Sequence, residues 1–404
     1  MPKPEKSPLS VEPPATGRLH APYPRADIEA LVARHGSPLM IVDCDRIRAQ
    51  YRALKAALPG VDLHYALKPL PDPAVVAALK GAGAFFDLAS SGEVDLVRAG
   101  HVLPERCIHT HPIKRDADIR DALRFGVRIF VADNADEIGK FIRHRKRVEV
   151  LLRVAFGASD AVCDLSKKFG CEPAAVPELL RLAAQMGVRV VGLSFHAGSQ
   201  AASPDMHVRA ISVCGTMIEA GRAAGHADLQ VLDIGGGFPV DYLEAAMPIE
   251  EFCAPIRAAL AALPSDLRII AEPGRFIAAP AGTCIATVVG RAVRDGRPWY
   301  YLDDGIYGSF SGQLFDHARY RIESLRTEGE LRPSVLAGPT CDSIDVVVEG
   351  LPLPPLEIGD LIVGRDMGAY CSAGATDFNF IRRARILPIN REPADATVVT
   401  LVPR

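Results

Sequence analysis

The chain reads as an α/β protein: a (β/α)₈ barrel carrying a second, all-β domain. Three observations predict this. Short apolar, β-rich runs alternate with helix-sized stretches eight times before residue 276. Beyond it, helical periodicity gives way to β-branched runs parted by Gly and Pro. No Gly-x-Gly-x-x-Gly turn follows the first strand, and eight strands exceed the six or so of a doubly wound open sheet.

The elements follow in order. Residues 1–18 are rich in Pro, Lys and Glu, lack an apolar core, and read as a disordered tail rather than a signal peptide. An amphipathic helix from Asp27 (Ile28, Leu31, Val32) leads through Gly36 and Pro38 to the run Leu39-Met40-Ile41-Val42. Barrel strands are expected near 63–67, 84–89, 107–110, 127–132, 148–154, 188–196, 229–234 and 267–271. Asp72 with Pro73, and Ser91 with Glu93, mark helix starts; Gly100, Gly126 and Gly187 mark helix ends. Further strands are expected at 285–289, 299–303, 334–337, 344–348, 361–363 and 398–402. The expected division is 42–276 for the barrel, with 19–41 and 277–404 forming the β domain.

With 404 residues and a formal net charge of −3, the chain gives no reason to expect nucleic acid or an anionic membrane as partner. No apolar run approaches the ~18 residues of a membrane span. The nine cysteines form no C-x-x-C pair and no zinc signature. They read as reduced thiols of a cytoplasmic protein, with no metal site implied.

Chemistry gathers at the strand ends. Lys68 closes the run Tyr65-Ala66-Leu67 just before a Pro-rich turn, where strand-then-helix folds place their active groups. Gly235, Gly236 and Gly237 follow strand seven, the usual place for a barrel's phosphate site. A plain flexible turn is the bland alternative. Glu272-Pro273-Gly274-Arg275 ends strand eight and reads equally as an ion pair or as an acid facing a protonated heterocycle. His196, after strand six, is alone a core histidine more often than a catalytic one. On one rim, a lysine, an anion cradle, a histidine and a carboxylate together suggest pyridoxal 5′-phosphate held through Lys68. A Schiff-base aldolase barrel is the rival, although it needs no second domain. In the β domain, Tyr307-Gly308-Ser309-Phe310, Phe315-Asp316-His317, Pro339-Thr340-Cys341-Asp342 and Met367-Gly368-Ala369-Tyr370 are the acid- and thiol-bearing motifs. An exposed thiol at Cys341 is an oxidation liability and an unusual surface choice.

Taken in order, seven motifs resemble the alanine-racemase-fold amino acid decarboxylases, the family of ornithine, lysine, arginine and diaminopimelate decarboxylases. They are Tyr-Ala-Leu-Lys at Lys68, Phe-Asp-Leu-Ala-Ser at Asp87, Ser-Phe-His-Ala-Gly-Ser at His196 and Gly-Gly-Gly at Gly235. Glu-Pro-Gly-Arg at Glu272, Gly-Pro-Thr-Cys-Asp at Cys341 and Met-Gly-Ala-Tyr at Tyr370 complete the set. The resemblance implies that Lys68 carries pyridoxal 5′-phosphate, His196 stacks on its ring and Glu272 pairs with its nitrogen. Ser199, Gly235, Gly236, Gly237, Gly274, Arg275 and Tyr370 would hold the phosphate, with Asp87 and Arg153 near the lysine and the ring hydroxyl. It further implies a head-to-tail homodimer with shared active sites, in which Cys341 and Asp342 serve the partner's barrel and Cys341 is the proton donor.

The match at Asp316, with Cys-Asp-Ser at Cys341, implies a basic substrate, ornithine or lysine, and a polyamine-type decarboxylase. Tyr307 and Phe378 would line the substrate pocket. Lys68 is followed by Pro69-Leu70, Ser199 by Gln200, and Asp377 adds an acid, departures that suit a modified or pathway-specific diamino acid; meso-diaminopimelate is the other alternative substrate within the family. An amino acid racemase would want a tyrosine in place of Cys341 and an arginine in place of Glu272. A non-catalytic binding homologue would not need to keep Lys68, His196 and Glu272.

Overall fold

The computed structural model describes residues 23–157, 161–163 and 167–391. Eight parallel strands close a barrel: Asp62–Ala66, Phe85–Leu88, Cys107–His109, Ile129–Ala132, Glu149–Arg153, Val190–Ser194, Val231–Asp233 and Arg268–Ala271. Each falls within, or one residue outside, an apolar run of the sequence. Strands buried on both faces have no reason to alternate with polar residues, which is why the runs were continuous. Ile108, Val131, Leu151, Val191, Val231 and Ile270 touch one another although each comes from a different strand, so they fill the barrel's interior. The flanking residues of the alternation, such as Phe130, Leu152 and Leu232, pack outward in the larger core shared with the helices.

Helix ends show why the chain turns where it does. Asp72 caps the Pro73–Gly81 helix, its carboxylate accepting the Ala74 N–H at 2.8 Å. The cap of the Ser91–Ala99 helix is Ser90, one residue before the expected Ser91. Gly126 ends Asp116–Phe125 at φ 117°, a left-handed cap that favours glycine. Gly100 also ends a helix, but in right-handed backbone; a Cβ there would meet Val76 Cγ1 at 2.9 Å, so close packing rather than φ selects it.

The second sheet runs Arg321–Ser324, Leu361–Arg365, Gly282–Arg294, Arg297–Leu302, Arg332–Ala337, Val346–Leu353. The Leu39–Asp43 strand pairs antiparallel with Gly282–Arg294, so the segment before the barrel is hydrogen-bonded into this sheet. Arg385–Ile389 joins in parallel on its other side. Sequence pattern missed Arg321–Ser324 and Arg385–Ile389, which are short, charged and only partly buried, as edge strands are. The strand expected at 398–402 and the tail expected at 1–18 lie outside the described residues. Among the described residues no helix is long and apolar enough to cross a membrane.

Candidate active site

The C-terminal ends of the barrel strands surround a cleft lined by Lys68, His196, Ser199, Glu272, Arg275 and Tyr370. Lys68 stands two residues past the Asp62–Ala66 strand, in a turn fixed by the Leu67 N–H on the Asp87 carbonyl at 3.2 Å and the Leu70 N–H on the Leu67 carbonyl at 3.1 Å. Its side chain is 41% exposed into the cleft, with Nζ 3.8 Å from the Asp87 carboxylate. Burial opposes its charge, but Asp87, Tyr370 and Glu272 outweigh that and hold the ammonium above the ordinary lysine range. Asp87 is buried and accepts the Thr110 hydroxyl; burial and the Glu272 charge push it up to about 7.

Glu272 and Asp233, at the ends of strands eight and seven, form a buried carboxyl pair. Burial, then the Asp233 charge, lifts Glu272 well above the usual carboxylate range, and burial lifts Asp233 to about 6. Lys68 and Arg153 pull the other way without overcoming the burial, so a proton held by Glu272 can be exchanged for contact with a cationic ring nitrogen. The His196 Nδ1 accepts the Gly198 N–H at 3.0 Å; burial, then Arg153 and Lys68, keeps the imidazole neutral. Arg153 sits 5.6 Å over the Phe169 ring.

The far end of the cleft is built for an anion. Gly235 (φ 66°) and Gly237 (φ 103°) take left-handed backbone, and a Cβ on Gly236 would meet the Glu272 carbonyl at 2.7 Å. The Gly236, Gly237 and Phe238 N–H groups have no acceptor among the described residues. Arg275 points its guanidinium at the same end. Its Nε and Nη2 donate to Ser199 Oγ at 3.1 and 2.9 Å, Nη1 to the Tyr242 hydroxyl at 2.9 Å, and Nη2 to Asp316. Ser199 thus accepts two hydrogen bonds, which leaves its own O–H to donate outward. Tyr370, at φ 60°, lays its ring 4.8 Å from the guanidinium carbon, and its N–H is held by the Pro69 carbonyl at 2.9 Å. Gly274 leaves room for Pro69, whose Cγ would lie 2.7 Å from a Cβ there.

The sequence-predicted residues therefore fall into two groups. Lys68, His196, Ser199, Gly236, Gly237, Glu272, Gly274, Arg275 and Tyr370 line one cleft, with Asp87 against Lys68 and Gly235 behind the loop. Asp316 meets this group at Arg275 and lines an adjoining cavity with Gln200 and Tyr242. Tyr307, Asp342, Phe378 and Cys341 do not line the cleft. They cluster on the β domain, where the Tyr307 hydroxyl donates to Asp342 at 2.5 Å, its ring stacks on Phe378 at 4.5 Å, and the Cys341 N–H donates to Asn379 at 3.0 Å. Cys341 is exposed; the other seven cysteines whose placement is described are buried. Sequence reasoning missed Tyr242 and His207. Tyr242 follows the glycine loop by five residues, a placement that was a usable signal; His207 carried none.

Comparison with known proteins agrees with this geometry. The family model described as "Pyridoxal-dependent decarboxylase, pyridoxal binding domain" matches residues 44–279. A lysine/ornithine decarboxylase from Selenomonas ruminantium is 32% identical over 375 residues, covering 93% of this chain and 95% of its own. Among solved structures, a lysine/ornithine decarboxylase from Vibrio vulnificus complexed with putrescine is 54% identical over 90% of this chain and 98% of its own, with a TM-score of 0.86. The same enzyme complexed with cadaverine superposes with a TM-score of 0.87, covering 90% of this chain and 96% of that one.

Proposed function

The chain belongs to the pyridoxal-dependent decarboxylases, and we propose that it converts lysine or ornithine to the diamine and CO₂. The observation that carries the reading is one cleft with a lysine and a buried carboxyl pair at one end and three unpaired N–H groups beside Ser199 and Arg275 at the other. That layout fits pyridoxal 5′-phosphate, the family's cofactor: phosphate at the glycine loop, ring against His196, ring nitrogen toward Glu272, aldehyde at Lys68. Relatives at 54% identity that bind putrescine and cadaverine support the substrate class.

When bound, the cofactor's ring takes up the electron pair left at the α-carbon as CO₂ departs. This chain's residues do the rest. Lys68 anchors the cofactor through Nζ and moves protons there, with Asp87 holding the amine in place. Glu272 keeps the ring nitrogen protonated, its unusually basic carboxyl being stabilised once a cation faces it. His196, neutral, is a flat wall that adds no competing charge. Asp316 and Asp342 are acids suited to the substrate's distal ammonium, and Cys341 is the proton donor to the α-carbon, with Tyr307 and Phe378 beside it.

The second group must come from somewhere, and we assign it to a second copy of the chain. Cys341 is exposed and Asp342 partly so, and Ile344, Phe378 and Phe380 nearby are exposed apolar side chains, Phe380 at 96%. A head-to-tail homodimer would bring this face over the partner's cleft and cover that apolar area. The pairing of Leu39–Asp43 into the second sheet supports counting the segment before the barrel with the β domain, with the boundary just past Asp43 instead of at 42. A cytoplasmic location is our reading of nine cysteines that show no paired spacing pattern, seven of the eight whose placement is described being buried.

The test is CO₂ release from L-lysine, L-ornithine, L-arginine and meso-diaminopimelate with pyridoxal 5′-phosphate supplied. Turnover of lysine or ornithine is expected; release from meso-diaminopimelate alone, or from none, would overturn the substrate reading.

A further inference from the structure

We propose that His207 is a positioning residue for the cofactor phosphate: by holding the Gly236 carbonyl it turns the Gly237 N–H into the anion site. The inference rests on the pyridoxal phosphate reading above. His207 is the third residue of the Asp205–Ala223 helix and is fully buried, beneath the glycine loop rather than in the cleft. Its ring stacks on Phe238 at 5.5 Å and meets Phe195 and Phe252 edge-on at 6.2 and 5.7 Å. The one polar contact is Nε2 to the Gly236 carbonyl oxygen at 3.0 Å. A carbonyl only accepts, so the proton is on Nε2. Nδ1, equally buried, has no partner among the described residues.

A phenylalanine or leucine would fill this aromatic pocket without an orphaned nitrogen. Burying the imidazole here is unfavourable unless its single N–H does something an apolar ring cannot. What it does follows from peptide geometry. The peptide unit is planar and trans, so its C=O and N–H point in opposite directions. Fixing the Gly236 carbonyl downward on His207 therefore aims the Gly237 N–H upward, into the cleft. The neighbouring peptides are held the same way: the Glu272 N–H donates to the Gly235 carbonyl at 2.7 Å and the Ala201 N–H to the Gly237 carbonyl at 3.0 Å. Those two anchors are backbone. His207 is the side-chain anchor among the three, in a loop whose glycines have no Cβ to restrain their φ and ψ. Burial draws its pKa down to about 4, so the anchor adds no charge near neutral pH.

The experiment compares apoprotein affinities for pyridoxal 5′-phosphate and for pyridoxal, which lacks the phosphate, in wild type, His207→Phe and His207→Gln. His207→Phe is expected to weaken pyridoxal phosphate about tenfold, the scale of one hydrogen bond aligned on a charged group, and to leave pyridoxal binding nearly unchanged. His207→Gln, which keeps an N–H donor, should recover most of the loss. Equal weakening of both ligands, or no change for pyridoxal phosphate, overturns the role of His207 while leaving the cofactor reading intact. A wild-type chain that does not prefer pyridoxal phosphate over pyridoxal overturns both.

Discussion

The barrel rim and the β-domain cluster hold their chemistry in opposite ways. On the rim every reactive group is braced from behind: Glu272 by Asp233, Ser199 by Arg275, and Arg275 by Tyr242 and Tyr370. The β-domain residues are braced by one another and by nearby turns, Tyr307 to Asp342 and Phe378, Asp342 to Ile344 and Cys341 to Asn379, with Cys341 and Phe378 exposed. The difference teaches that the cleft's residues are held in place within one chain, whereas the cluster with Cys341 and Asp342 lies outside that cleft, which is what the dimer proposal has to account for. Preorganised dipoles are worth far more where water is excluded.

The contrast can be broken by substitution. Lys68→Ala should bring CO₂ release to background, the acid–base share alone being roughly 10²–10⁴-fold, and should remove the cofactor's bound absorbance band. A retained bound band would place the anchor elsewhere on the rim. A smaller effect is expected from the acids. Asp316→Asn and Asp342→Asn should raise KM for lysine or ornithine by roughly tenfold or more, from loss of a charge-assisted hydrogen bond. Steady-state kinetics with both substrates decides this; an unchanged KM would leave Asp316 merely as the partner of Arg275.

A further effect concerns the barrel's own stability. His109 is fully buried, stacked on Phe130, with neither nitrogen partnered among the described residues, and burial lowers its pKa to about 3. Its folded pKa lies below the ~6.5 of an unfolded chain, so its contribution is present above that pH and is lost as pH falls. Between pH 8 and pH 5 the loss amounts to about 2 kcal/mol. His109→Phe should lose that much less stability over the same interval in urea unfolding. Parallel pH dependence in both proteins would mean that His109 gains a proton as easily folded as unfolded.

The rim was legible in sequence because buried parallel strands appear as apolar runs, and Lys68, His196, Gly235 and Glu272 each stand just past the end of one. Asp316 was found from its motif, but its pairing with Arg275 joins residues on different domains and leaves no local pattern. Tyr242 and His207 act on groups that already look complete in one dimension: an arginine and a glycine. Gly100 was placed correctly for the wrong reason, since packing against Val76 rather than backbone conformation requires it. The two strands missed in the second sheet failed for want of burial, which is the signal that reveals a strand.

The central claim, one site built from two chains, is tested most directly by mixing. Lys68→Ala and Cys341→Ala are each purified, confirmed to give little normal diamine, then exchanged together with cofactor and substrate. If each site draws its lysine from one chain and its thiol from another, random pairing regenerates one intact site in half of the dimers, and about a quarter of wild-type activity returns. Activity that stays at the mean of the two variants would contradict the account and put Lys68 and Cys341 to work within a single chain.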